Sequence, residues 1–410
     1  MLKVLVNAYA CNPKWGSEQG IGWHWTVELA KFCKVFVITE GEFKDNIEKE
    51  LLNLPQKENL SFIYNNVSPK VRKMCWNQGD WRFYYYYRTW QKRTLAIAEE
   101  LCKKEHIDII HQLNMQGFRE PGLLWKIKGP KFVWGPVGGM GLMPMTYLAK
   151  ESFSKKLFFG IKNIINQIQY RYQSNVKKAI KKADVLLSST PEEVRVFRDI
   201  HHKESYFIND TGCDVTVESH EWNTNKSKAL NLIWVAKFDF RKQLDLAIKS
   251  VAEIKDLDVV LNIVGTGKMA TYYKRMAENM GVADKCIFWG QLEHDEVLNM
   301  MIKSDIFFFT SISEATSTVI LEAIGAKLPI VCFDTCGFGP IVDEKIGVKI
   351  PVSNPETSVL DFSNALKYLY YHRGLLPVMS KNCEERQMVL TWEYKARFVS
   401  KLYHQLVASV

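Results

Sequence analysis

Two glutamates and two lysines are spaced in this chain as if to hold a phosphorylated sugar. The segment Phe307-Phe-Phe-Thr-Ser-Ile-Ser-Glu314-Ala-Thr-Ser-Thr-Val-Ile-Leu-Glu322 reads as a buried strand, a polar turn and a helix starting around Thr316. The first N–H groups of a helix lack internal partners and its dipole favours negative charge, so a phosphate group fits at this helix start. Glu322 falls about two turns into that helix, where it can accept hydrogen bonds from a pair of ribose hydroxyls. Glu314, on the turn before, can bond hydroxyls of a transferred sugar. The plainer alternative is that Thr316 or Ser317 caps the helix and both glutamates are solvated. Upstream, Trp234-Val-Ala-Lys237-Phe-Asp-Phe-Arg241-Lys242 puts two cations where a strand gives way to a helix. Cations there would stabilise a diphosphate and its departure as leaving group without proton transfer. A solvated charge cluster is the competing reading.

The elements that must position these residues alternate throughout. Strands are expected at Leu2–Asn7, Lys34–Thr39, Leu60–Tyr64, Ile107–His111, Lys131–Trp134, Asp184–Leu187 and Ser205–Ile208. A second series is expected at Leu230–Ala236, Val259–Val264, Cys286–Trp289, Asp305–Phe309, Pro329–Phe333 and Gly347–Ile350. Most are continuous apolar runs, as in parallel sheets covered by helices on both faces. Helices fit Gly20–Phe32, Arg241–Ile254, Met269–Met280, Glu293–Ile302 and Ser317–Gly325, and the stretch after Ile350 reads as helical to the end. The pattern predicts an α/β chain of two doubly wound domains. Their expected limits are 1–212 and 229–385, with a polar linker at 213–228 and a C-terminal helix at 386–410 packing back on the first domain. Ligands of such sheets sit beyond the carboxyl ends of the strands, and two facing domains would enclose a cleft there.

At 410 residues, 47% hydrophobic and 24% charged, the chain has an ordinary globular composition and enough length for two cores. It has no apolar run of the roughly 18 residues a membrane span requires, and Met1–Val6 reads as a strand, not a signal peptide. Nine cysteines without a CxxC pair read as reduced thiols, consistent with a cytoplasmic location. The only DxD, Asp256-Leu-Asp258, precedes a buried strand, so no metal site is expected. Gly265-Thr-Gly267 lacks the third glycine of a dinucleotide fingerprint, and no other cofactor is expected.

The formal charge of +9 is concentrated. Ser154–Lys182 holds eight basic residues and no acidic one, and Lys70–Arg93 holds seven against Asp80 alone. Both are interleaved with aromatic residues, and Ser154–Lys182 reads as an amphipathic helix. Rings with lysine and arginine suit a bilayer interface with anionic lipid, so segments 70–93 and 154–182 are expected at a membrane surface, the inner face of the cell membrane. Alternatively the tyrosines are core residues beneath a wet, charged face. Nucleic acid would explain the same composition, but no nucleic-acid motif accompanies it.

Taken together, Lys237 and Lys242, Ile263-Val-Gly-Thr-Gly267, Phe288-Trp-Gly290 and the Glu314–Glu322 pair resemble the retaining nucleotide-sugar glycosyltransferases of family 4 (group 1). Gly16-Ser-Glu18 is similar to that family's glycine-bearing first loop, as is the block from Asp108-Ile-Ile-His111 through Gly117–Gly122 to Gly135–Gly139. The resemblance implies a GT-B fold and transfer of a sugar from a UDP- or GDP-linked donor to a glycan or lipid-linked acceptor, in cell-surface polysaccharide synthesis. It implies that Lys237 and Lys242 contact the diphosphate, Glu322 the ribose and Glu314 the donor sugar, without a metal, and that the backbone N–H groups of Ala315, Thr316, Ser317 and Thr318 lie near phosphate. Gly16 and Gly265 would let ligand approach the backbone closely, and His111 would lie beside the donor sugar. Without the resemblance, a histidine closing a strand reads as structural. The chain departs from the family at Lys237, where arginine is common, at Ala315-Thr-Ser in place of Gly-Phe-Gly, and at Gln243 in place of glycine. A GT-B nucleotide-sugar 2-epimerase and a catalytically silent sugar-nucleotide-binding partner are the alternatives.

Overall fold

A computed structural model describes residues 1–77, 80–149, 151–214, 217 and 229–408. Most of the expected linker, 213–228, lies outside them. The chain divides into two compact units: Met1–Gly141 with Ile164–Thr211 and Trp392–Val410, and Leu142–Asn163 with Gly212–Thr391.

In the first unit the elements run β1 (Lys3–Ala8), α1 (Ser17–Leu29), β2 (Lys34–Thr39), α2 (Lys44–Leu51), β3 (Leu60–Tyr64), α3 (Pro69–Trp76), α4 (Arg82–Glu105), β4 (Ile109–Asn114) and β5 (Lys131–Val137). There follow α5 (Phe153–Tyr172), whose first half belongs to the second unit, then α6 (Ser174–Lys182), β6 (Val185–Ser188), α7 (Pro191–His201) and the two-residue β7 (Tyr206–Phe207). The strands form one parallel sheet in the order β3-β2-β1-β4-β5-β6-β7. Alternation along β1 sorts its side chains: Val4, Val6 and Ala8 join a core with Trp25, Trp392 and Tyr403, while Leu5 joins one with Phe83, Tyr87 and Trp90. A sheet buried on both faces needs the unbroken apolar runs seen in the sequence. The segment expected as one helix, Ser154–Lys182, is two: Gln173 leaves the helical region, and its side-chain amide donates to the Arg119 carbonyl (2.9 Å).

The second unit runs β8 (Leu230–Val235), α8 (Leu244–Glu253), β9 (Val259–Val264), α9 (Ala270–Asn279), β10 (Cys286–Gly290), α10 (His294–Ile302), β11 (Ile306–Phe309), α11 (Thr318–Gly325), β12 (Ile330–Phe333), β13 (Gly347–Ile350), α12 (Pro355–Tyr371) and α13 (Leu375–Met388). Its parallel sheet has the order β10-β9-β8-β11-β12-β13. Local chemistry sets the helix starts. Glu293 and Glu296 form a reciprocal capping box on α10, and Asn354 accepts the Thr357 N–H (2.9 Å) ahead of Pro355 on α12. The last helix, α14 (Trp392–Ala408), belongs to the first unit and packs on α1. Each unit is by itself a Rossmann-like, doubly wound parallel α/β sheet.

Candidate active site

In the second sheet successive strands step one way from β8 through β9 to β10, and the other way from β11 onward. The crevice beyond the carboxyl ends of β8 and β11 is therefore the switch point where α/β sheets bind ligands. Lys237 and Lys242 lie on the loop after β8, and Glu314 lies on the loop after β11. The structure brings two of them into contact, the Lys242 ammonium forming an ion pair with the Glu314 carboxylate. Both side chains are only partly exposed, and the ammonium also lies 5.5 Å from the centre of the Phe309 ring.

Hydroxyls stitch the two loops together. Thr310 accepts from the Trp234 indole N–H (3.1 Å) and donates to the backbone carbonyls of Lys242 and Gln243 (2.8 and 2.9 Å). Ser311 donates to the Glu314 carboxylate (2.7 Å), and the Ile312 N–H to the Arg241 carbonyl (2.9 Å). Arg241 itself is held by Asp239, whose carboxylate accepts from its backbone (2.9 Å) and side chain (3.1 Å). Gln243 adopts φ +50°, the left-handed conformation that glycine takes at low cost. Lys237 is exposed on the same loop.

Helix α11 opens from this crevice. Ser317 is its N-cap, yet its hydroxyl makes no capping hydrogen bond, so it leaves the first-turn amides of a helix begun by Thr318 without a side-chain cap. Ala315 and Thr318 are exposed, Thr316 is partly exposed and Ser317 is buried. The turn is braced from behind, with the Glu314 N–H directed to the Cys336 sulfur (3.2 Å) and the Gly337 N–H donating to the Ala315 carbonyl (2.8 Å). Glu322 stands one turn beyond Thr318, its carboxylate 3.2 Å from Nε2 of His294 at the start of α10. His294 escapes sequence reasoning because 28 residues separate it from Glu322 and no motif contains it.

The remaining candidates lie elsewhere. Gly265 follows β9 at φ +131°, where a Cβ would drive into the Ala236 carbonyl oxygen. Its neighbour Gly267 is pressed against Phe238 in the same way, so these glycines let two backbones pack and thereby support the loop of Lys237. In the first unit Gly16 is exposed at the start of α1. His111, in β4, is fully buried. Its Nε2 faces the Gly135 carbonyl (2.6 Å), which can only accept, so Nε2 carries the proton and Nδ1 accepts from the Tyr403 hydroxyl (2.6 Å). Burial lowers its pKa to about 4. His111 thus pins α14 to the sheet, with neither nitrogen left for a sugar.

Glu18, the acidic member of the Gly16-Ser-Glu18 loop, has the more unusual chemistry there. One carboxylate oxygen accepts the Gln116 N–H (3.3 Å), the other is buried without a partner, and burial raises the pKa to about 7.

The aromatic segment 70–93 divides between core and surface. Phe83, Tyr87 and Trp90 are buried and pack edge-on against Tyr9, whereas Trp81, Tyr84 and Tyr85 are exposed. In 154–182 Leu157, Phe158, Ile161, Ile164, Ile165, Ile168 and Tyr172 are exposed, whereas Phe159 is half-buried and Tyr170, Val176 and Ile180 are buried. No helix among the described residues is long and apolar enough to cross a membrane.

The chain is similar to known proteins in sequence and in fold. Residues 217–373 match the family model described as glycosyl transferases group 1. One component of the phosphatidylinositol N-acetylglucosaminyltransferase of Homo sapiens is 24% identical over 182 residues, covering 43% of this chain and 37% of that protein. The lipopolysaccharide glucosyltransferase WaaG of Escherichia coli is 30% identical over 125 residues, covering 29% and 33%. The chain thus spans under half the length of these curated relatives. The crystal structure of Anabaena HepE in complex with UDP superposes over 100% of both chains with a TM-score of 0.58 at 13% identity, which is a likeness of fold. The chain thus has a GT-B fold, and its residues 217–373 are similar to the glycosyl transferases group 1.

Proposed function

We propose that this protein is a retaining glycosyltransferase of the family 4 type, moving a sugar from a nucleoside-diphosphate donor to a lipid-linked or glycan acceptor. The observation that carries the reading is the meeting of Lys242 and Glu314 at the switch point beside the uncapped start of α11. In this reading the α11 amides, Lys237 and Lys242 take the diphosphate, Glu314 and Ser311 meet the sugar, and Glu322 takes the ribose. As the C1–O bond breaks, negative charge grows on the leaving phosphate, and fixed cations and helix amides stabilise it most at that moment. The departing phosphate oxygen helps to remove the acceptor proton on the same face, so the configuration at C1 is kept. No metal is needed in this scheme.

UDP bound to HepE supports a nucleotide donor. The names of the human and Escherichia coli relatives, which carry the words phosphatidylinositol and lipopolysaccharide, support a lipid-linked acceptor. The first unit would bind that acceptor, with segments 70–93 and 154–182 against the lipid. A thermal-shift screen with UDP-, GDP- and ADP-sugars tests the donor. A ligand at a hundred times its Kd stabilises the native state by about 2.7 kcal/mol. A rise in melting temperature with one nucleotide class is expected, and no rise with any of them contradicts the reading.

A further inference from the structure

A concavity of about 750 Å³ lies between α6 and α7, lined by Tyr172, Lys177, Lys178, Lys181, His202 and Lys203 among others. None of the described lining residues is acidic. Lys177, Lys178, Lys181 and His202 are exposed, and the Lys203 ammonium is held at the rim by the carbonyls of Lys181 and Ala183. Of the acids nearby, Asp184 pairs with Lys131 (3.9 Å) and Asp199 with Arg198 (2.7 Å). α6 leads into the start of β6 and α7 ends ahead of β7, so the pocket lies at the amino ends of these strands. Gly16 and Glu18 follow the carboxyl end of β1, on the opposite edge of the parallel sheet. The pocket is therefore apart from the loops that would serve glycosyl transfer.

Tyr172 also ends an apolar face. Ile164, Ile165, Ile168 and Tyr172 of α5 are 58%, 47%, 52% and 70% exposed, and their spacing places them within an arc of about 100°. A free phosphate would use the cations but not the isoleucines. A nucleic acid strand would want rings to stack on, which isoleucine does not supply. An anionic phospholipid surface uses both, its phosphates meeting the lysines and its acyl boundary meeting the helix face.

We infer that this pocket binds the phosphate headgroup of an anionic membrane phospholipid while the outer face of α5 lies in the bilayer interface. The inference deepens the proposed membrane-side acceptor reading and rests on it for its link to transfer. Co-sedimentation of the full chain with phosphatidylcholine vesicles, with and without phosphatidic acid, tests it. Binding is expected only to the vesicles containing phosphatidic acid. Lys177→Ser with Lys181→Ser should weaken it by roughly 30-fold, since each basic residue near such a surface contributes about 1 kcal/mol. Ile164→Asp with Ile168→Asp should abolish it, with the melting temperature of both variants unchanged. Equal binding to pure phosphatidylcholine, or wild-type binding by the lysine variant, overturns the proposal. Undiminished binding by the isoleucine variant overturns it too, marking a soluble-phosphate site, as does a preference for single-stranded RNA over vesicles. Absence of donor turnover in the wild type would instead count against glycosyl transfer and leave the vesicle result standing.

Discussion

Lys242 and Glu314 are 72 residues apart in sequence and form an ion pair where the loops after β8 and β11 meet at the sheet's switch point. Each is held by its own loop contacts: the Lys242 carbonyl accepts from Thr310, and the Glu314 carboxylate accepts from Ser311. The pair therefore fixes the distance between this cation and this carboxylate, which under the proposed function would meet phosphate and sugar hydroxyls. A double-mutant cycle with Lys242→Met and Glu314→Gln, read by denaturant unfolding, should give a coupling of about 1 kcal/mol, in the range for contacting charged groups. Strictly additive effects would show that the two side chains do not hold one another.

Glu322 is expected to act on binding of the donor more than on its breakdown. Removing a charged hydrogen-bond partner costs about 1.5–3 kcal/mol, so Glu322→Ala should raise the donor KM roughly 10- to 100-fold with a smaller change in kcat. His294→Ala should change either constant less than about threefold, because its hydrogen bond to Glu322 is solvent-exposed and contributes little. A larger loss from His294→Ala than from Glu322→Ala would reverse these roles.

Gly265 carries a packing constraint that can be measured without substrate. Gly265→Ala forces a Cβ into the Ala236 carbonyl at a left-handed backbone. We expect a loss on the order of 2–3 kcal/mol in chemical denaturation. Gly16→Ala, where nothing lies within 4 Å of the added carbon, should cost far less.

Stability should depend on pH through groups of opposite sign in the first unit. Burial raises Glu18 and Glu193 from their ordinary 4.5 to about 7. Both are protonated when folded below that value, so the stability they contribute is present below pH 4.5 and lost as pH rises towards 7. The loss is on the order of 3 kcal/mol each. His111 runs the other way: held neutral to about pH 4, it costs stability as pH falls from 6.5, where the unfolded chain takes up the proton first. Glu193→Gln should flatten the fall between pH 4.5 and 7, visible in melting temperatures across that window. An unchanged slope in Glu193→Gln would place its titration outside the core.

Both sheets are legible in the sequence because a strand covered on two faces has to be apolar throughout, as Phe307-Phe-Phe and Val4-Leu-Val are. Lys242 and Glu314 are individually visible as charges beside strand ends, and α/β topology says such ends converge. Their contact is not visible, since it depends on Thr310 bonding backbone carbonyls of the other loop and on Ser311 orienting the carboxylate. His111 shows the opposite limit: a histidine closing a strand reads alike whether it faces a ligand or, as here, Tyr403. The split of the aromatic segment is readable in principle, because Phe83, Tyr87, Trp90 and Thr94 recur at helical spacing, the mark of a buried stripe. Glu322 and His294 meet only through the tertiary placing of α10 and α11.

The most direct measurement is single-turnover cleavage of the nucleotide-sugar that stabilises the protein, compared between wild type and Lys242→Ala. Loss of one preorganised charge at a developing anion should slow cleavage about 100- to 1000-fold while the fold stays intact. Unchanged cleavage by a folded Lys242→Ala would contradict the assignment of the diphosphate to this crevice.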